Sequence, residues 1–385
     1  MTTQLLVLIG LAVTPFLTLR TFTVFEGKMF VAAMFSMAIF LNALRGGVRI
    51  QLKNNWILAF LMLVFLGNHF APKINLEIWG QSFINPWSWK CYFYITSFFL
   101  LFLVVSGTEW TEKEIKSVLN VMVWAGTIMA AYVILQYFGF DQFFKFNKFL
   151  KEVPALETPN LFGTLGNSRA VAVFLAPISV LAFAGKKWIR LGIIGAVLVL
   201  INSKCAYLGV AVGLASLFFV RGWKSLFILI GVFLALMIGY EALGFQDSGR
   251  LGTWKTIVDA FRFSDFPIEG RRYSLLGYGM GSFPVMYSFP FKSVWAAAHN
   301  EFLEIMWDTG IMGIGLFIAG LGVFLGGSAN KTEPSKTLLA AFLSILAMAC
   351  WFFPFQIGTI AFYSVVIAGI LAVWTEAERI PSETK

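Results

Sequence analysis

Apolar runs broken by short polar stretches repeat along the whole chain, and their lengths set the first expectation. Runs of roughly 15 to 22 residues cover 4–19, 29–44, 56–70, 91–107, 118–138, 170–185, 188–202, 205–220, 225–244, 306–327, 338–353 and 357–374. A helix rises about 1.5 Å per residue, so a hydrocarbon core about 30 Å thick is crossed by about 20 apolar residues, with tilt and flanking residues absorbing a mismatch. The pattern predicts an all-α integral membrane protein of about twelve transmembrane helices with two longer connections, 139–169 and 245–303. It leaves no length for a separate soluble domain, so residues 1–385 read as a single polytopic membrane domain.

Composition agrees: 58% of residues are hydrophobic and 13% charged, with a mean hydropathy of +0.79, where a soluble domain carries about 25% charged residues. The net charge of +9 does not point to nucleic acid, because the basic residues lie singly or in pairs between apolar runs. They report topology instead. On the side holding Arg45, Lys113, Lys187, Arg221 and Lys331, 14 Lys and Arg fall in roughly 50 loop residues, against 15 in roughly 125 on the other. The denser side is expected to be cytoplasmic, which places both long connections outside. The run 4–19 lacks a basic leader and a small-residue cleavage site, so it reads as a retained helix. Cys91, Cys205 and Cys350 sit in apolar surroundings without metal-ligand spacing, which argues for neither a disulfide framework nor a zinc site.

A connection as long as 245–303 is usually functional. It runs into AAAHNEFLEIMWDTGIMGIGLF (296–317), where one of only two histidines, His299, precedes Asn300, Glu301, Glu304 and Asp308 and then the spaced glycines Gly310 and Gly313. Four more pieces share the expected outer face: GTLGNSRAVAVFLAPISV (163–180), INSKCAYLGVAVGL (201–214), SGRLGTWKTIVDAF (248–261) and LLGYGMGSFPV (275–285).

In this order the five pieces resemble the O-antigen ligase and polymerase family, bacterial membrane enzymes that move a glycan from undecaprenyl diphosphate to an acceptor hydroxyl. The resemblance covers 160–325 as a ligase-like core that includes the outer loop 245–303, and its most specific part is HN-x-x-L-E followed by G-x-x-G at 299–313. It implies a GT-C type fold in the bacterial inner membrane, with the active face periplasmic. It also implies His299 as general base and Lys204 and Arg250 as diphosphate-binding cations. Two departures stand out. Where many members read Ser-Arg-Gly this chain has Ser203, Lys204 and Cys205, so a point charge replaces a bidentate fork. Where Asn-Pro-Asn is common it has Asn167, Ser168 and Arg169, so Arg169 is expected to supply the missing fork.

The residues support the same chemistry on their own terms. Glycosyl transfer from a lipid diphosphate needs a base for the acceptor hydroxyl, positive charge on the leaving diphosphate and an apolar groove for the polyprenyl tail. A histidine at a helix start is kept neutral by the helix dipole, and a helix beginning near Asn300 puts His299 there. Gly310 and Gly313 are expected to let a neighbouring helix approach closely, with Asn300 and Glu304 as supporting residues. An isolated histidine at a membrane boundary is more often a cap or packing residue. His69, in GNHFAPK, fits that description, whereas the company of His299 does not.

Lys204 and Arg169 start or interrupt apolar segments, where an unpaired charge costs about 2.5–3.5 kcal/mol on insertion scales. Snorkelling to headgroups is the bland alternative for both, and solvation for Arg250, here read as a loop residue. Arg271 and Arg272 read as a surface pair. The glycines of LGYGMGS lack the spacing and strand-turn-helix context of a dinucleotide site and mark a tight turn. Asp247, Asp259 and Asp265 make no DxD pair, so no metal or cofactor is expected.

The sequence therefore reads as a metal-independent, inverting glycosyltransferase of O-antigen ligase type. Its expected partners are an undecaprenyl-diphosphate-linked glycan donor, a lipid or glycan acceptor such as a lipid A-core sugar, and the bilayer, with no nucleic acid. An O-antigen polymerase or a protein O-oligosaccharyltransferase would share these motifs. A transporter or flippase should show an internal repeat and broken helices in matching halves, neither of which is clear in the sequence.

Overall fold

A computed structural model of the chain describes residues 2–17, 24–46, 60, 62–65, 76–78, 81–83, 86–140, 161–219, 250–262, 275–283, 298–328 and 333–377. Described helices are α1 (Thr3–Val13), α2 (Val24–Arg45), α3 (Pro86–Gly107), α4 (Glu112–Tyr137), α5 (Ser168–Ala184), α6 (Trp188–Ile201), α7 (Lys204–Phe219), α8 (Arg250–Arg262), α9 (Glu301–Ser328), α10 (Glu333–Ala349) and α11 (Gly358–Ala377). A 3-10 turn, Pro354–Gln356, joins α10 to α11. Among the described residues the only strands form a short antiparallel hairpin, β1 (Leu76–Ile78) with β2 (Gln81–Phe83), in which Glu77 pairs with Ser82.

Among the described residues, three segments are long and apolar enough to cross a membrane: Gly27–Arg45, Glu112–Tyr137 and Glu301–Leu325. Shorter apolar helices pack around them, which fits a bilayer environment. The expected helices 56–70 and 225–244 lie outside the described residues, apart from helical residues 60 and 62–65.

Several helix starts fall earlier than the apolar runs do. α4 opens at Glu112, not 118, because Thr111 and Glu114 form a capping box: the Glu114 N–H donates to the Thr111 hydroxyl, and Glu114 accepts the Thr111 N–H. α3 opens at Pro86, where proline suits a first helical position, and α9 opens at Glu301, five residues before its expected start. α10 runs over 333–349 in place of 338–353, since Trp351 and Phe352 turn their N–H groups back onto the Met348 carbonyl.

The core is built by close helix crossings. α7 lies against α10 and α5. A Cβ on Gly213 would come within 2.5 Å of Val180 and 3.1 Å of Ser344, and one on Gly209 within 2.7 Å of Met348. Without an apolar-versus-water driving force inside lipid, such small-residue contacts carry helix association. α11 packs on α2 and α3, and α4 on α1, α5 and α6. Polar ties at one end of the array join the starts of α2, α5 and α11 to the end of α1. The Lys28 ammonium donates to the Pro15 and Leu17 carbonyls, the Thr164 hydroxyl donates to Pro15, and the Thr359 hydroxyl to Thr14. Lys28 is only 1% exposed, so these carbonyls meet the hydrogen-bond demand of a buried ammonium.

Candidate functional site

The same end of the array holds His299, and three short contacts define the corner at 348–355 around which it sits. The His299 ring lies 5.1 Å from that of Phe353, which stacks on Phe352 at 4.2 Å. Cys205, next to Lys204, approaches the Met348 carbonyl with its thiol at 3.7 Å. Trp254, one helical turn after Arg250, packs on Trp351 at 5.1 Å. The starts of α7, α8 and α9 thus gather on the α10–α11 corner.

His299 has φ +53, in the left-handed region that a residue with a side chain rarely adopts. Its neighbours hold it there. On one side Asn300 caps α9, its Oδ1 accepting the N–H groups of Phe302 and Leu303 at 3.0 and 3.1 Å. On the other, both backbone groups of Ala298 are taken by side chains: Glu304 Oε2 accepts its N–H at 3.0 Å, and its carbonyl accepts the Trp254 Nε1–H at 2.8 Å. A backbone fixed from both sides fixes the direction in which the His299 side chain leaves the chain. This placement one residue before the cap agrees with a helix beginning near Asn300.

The acidic residues are tethers. Glu301, Glu304 and Asp308 fall on one face of α9, at i, i+3 and i+7, and all are buried. Glu301 accepts the Phe355 N–H at 2.8 Å, fixing the 3-10 turn. Asp308 accepts the Gly281 N–H at 3.0 Å and faces the Ser282 hydroxyl. Each carboxyl therefore ties a separate stretch of backbone to α9, and buried polar groups of this kind are retained only when so bonded.

Gly310 departs from its expected role. It breaks α9, with φ 70 and ψ −173, and what approaches it is a turn of the chain at Leu275–Gly279, not a neighbouring helix. A Cβ there would lie 2.2 Å from the Leu275 carbonyl oxygen. The freed carbonyls of Trp307 and Asp308 accept the Tyr278 and Gly279 N–H groups at 2.9 and 3.0 Å, and Met312 donates to Leu275 at 3.3 Å. Broken backbone inside an apolar helix is tolerated because protein satisfies it. Gly277, Gly279 and Gly281 all have positive φ, which explains LGYGMGS as the insert that fits the break. Tyr278 stacks on Trp307 at 4.4 Å and seals it. Gly313 makes room both within its own helix and for a neighbour: a Cβ would strike the Thr309 side chain at 2.0 Å, and Leu63, in helical residues 62–65, would lie 3.2 Å away.

The cations occupy helix starts. α6 ends on left-handed Asn202 and α7 begins two residues later, so Lys204 is exposed at a helix N-terminus with almost no loop before it. Arg169 is exposed in the first turn of α5, behind Asn167, whose Oδ1 accepts the Arg169 and Ala170 N–H groups. Arg250 opens a helix and is not a loop residue; only its backbone is described. Trp254, which sequence reasoning passed over, was legible in the spacing of Leu251, Trp254, Ile257 and Val258 at helical intervals. His69, Arg271 and Arg272 lie outside the described residues.

No protein-family model matches the chain, and no curated protein matches its sequence.

Proposed function

We propose that the protein is an O-antigen ligase-like glycosyltransferase of the bacterial inner membrane, acting at the periplasmic face on an undecaprenyl-diphosphate-linked glycan. In this reading a GT-C type array of about twelve spans surrounds a core at 160–325. One observation carries it: the starts of α7 and α8, which bear Lys204 and Arg250, reach the corner at 348–355 through Cys205 and Trp254, and His299, just before α9, reaches it directly. Helix N-termini add partial positive charge where a leaving diphosphate would sit.

His299 takes the proton of an acceptor hydroxyl as that oxygen bonds to the anomeric carbon from the face opposite the diphosphate. The carbon–oxygen bond to the diphosphate breaks with its electron pair going to the leaving group, which Lys204, Arg250 and Arg169 hold. A single displacement inverts the anomeric centre, and no metal is required. Purified protein incubated with lipid-diphosphate glycan and, in separate reactions, lipid A-core, a second lipid-linked glycan or a peptide tests this. Transfer to lipid A-core is expected. Transfer to one of the others would make the protein the polymerase or the protein-glycosylating type.

The break in α9 favours a second reading, a transporter, since broken helices build transport sites. Its freed carbonyls are taken by N–H groups of residues 278 and 279 and so offer no open ion ligands. Movement of lipid-linked glycan across vesicles without transfer to any acceptor would establish transport.

A further inference from the structure

We infer that Trp254 is a positioning residue for His299, acting through the Ala298 carbonyl. The inference rests on reading His299 as the base. Trp254 is 9% exposed, and its indole N–H, at 2.8 Å from Ala298 O, is directed at the residue immediately before His299. The other backbone group of Ala298 is already held by Glu304. A peptide fixed through both its donor and its acceptor constrains the residue after it, and here that residue stands at a positive φ that costs free energy to maintain. The indole ring is itself seated on Trp351, so the hydrogen bond is made from a rigid support. The arrangement also joins α8 to the base: Arg250 and Trp254 are four residues apart on one helix, so the helix that would carry a donor-binding cation also aligns the imidazole.

Trp254→Phe keeps an aromatic ring against Trp351 and removes the N–H together with the five-membered ring that carries it. The expected result, with lipid-diphosphate glycan and lipid A-core acceptor, is a fall in turnover of about tenfold with the donor KM unchanged. In a His299→Ala background the same substitution should change residual turnover less than about twofold, because two residues acting through one group do not add. Unchanged turnover in Trp254→Phe, or an equal tenfold loss in the His299→Ala background, would overturn the inference. A second measurement does not depend on activity. With His69 replaced by Gln, His299 is the sole histidine, and its ring resonances in isotope-labelled protein should move or broaden in Trp254→Phe; unaltered resonances would overturn the inference equally. If His299→Ala retains full turnover, the assignment of the base falls, while the resonances still decide whether Trp254 holds His299.

Discussion

Gly277 and Gly310 occupy the space that each other's side chain would need. A Cβ on Gly277 would lie 2.5 Å from the Gly310 nitrogen, and one on Gly310 would lie 2.6 Å from the Gly277 nitrogen. Both also stand at positive φ. Replacing either by Ala should destabilise the folded protein by about 3 kcal/mol or more, combining left-handed strain with overlap against backbone that has no rotamer to yield. Thermal unfolding in detergent checks this. Gly315, beside whose Cβ position nothing lies within 4 Å, supplies the control, and Gly315→Ala should be neutral or better.

His299→Ala should lower transfer by about 10² to 10⁴, the range of a general base, while lipid-linked donor still binds, since cations and an apolar groove hold the donor. His69→Ala should do little. Wild-type activity should fall at acidic pH as the imidazole takes a proton, and that acid limb should be absent from the residual activity of His299→Ala. Initial rates against pH in the three proteins decide the point. Glu301 and Glu304 are poor substitutes as bases, because their oxygens already accept the Phe355 and Ala298 N–H groups.

Lys204→Ala and Arg250→Ala should weaken donor use, by roughly tenfold or more each, because a charge-assisted hydrogen bond contributes about 1.5–3 kcal/mol. Expression and insertion should be unaffected. Lys204→Arg should keep or improve activity. Donor titrations at fixed acceptor separate a binding loss from headgroup contacts, which would leave both alanine variants at wild-type levels.

At the start of α6, burial and then the Arg190 charge hold the Lys187 ammonium below its ordinary 10.5. Arg190 is itself fixed 3.8 Å over the Trp124 ring. The sign follows from proton counting: the folded state gives up this proton at lower pH than the unfolded chain, so stability rises, and does not fall, as pH climbs through the window below 10.5. Lys187→Gln should flatten that rise. Unfolding midpoints measured from neutral to alkaline pH in both proteins read it directly.

Topology is checked at two described positions. Cysteine at exposed Asn202, between α6 and α7, should react with an impermeant reagent from outside, and cysteine at Lys186, between α5 and α6, only after permeabilisation. The reverse pattern would invert the orientation read from loop charges.

How much was legible beforehand differed by kind of signal. Apolar runs located most of the described helices because lipid-facing and buried positions are both apolar. Helix starts were misread wherever charge opened the helix, as at Glu112, Glu301 and Glu333, because a hydropathy window counts a capping or buried carboxyl as the end of a span. His299 and Lys204 were singled out by motif, and the capping position of Asn300 followed from its place before the helix. The roles of Glu301, Glu304 and Gly310 were not, since each depends on backbone brought from elsewhere in the chain: Phe355, Ala298 and Leu275. No local pattern encodes such a partner.

The corner at 348–355 also sets when the site can come into being. Glu301 and Phe355 are 54 residues apart, and synthesis proceeds at about 5–20 residues per second. His299 is therefore made several seconds before the stretch that braces its helix. During that interval α9 is inserted with its tether to the 3-10 turn unformed. Leu11 waits longer, for a hydroxyl 352 residues away on Tyr363. Assembly of this corner is thus a late event in biosynthesis, and a nascent chain halted short of it carries His299 without the tether between Glu301 and the Phe355 N–H.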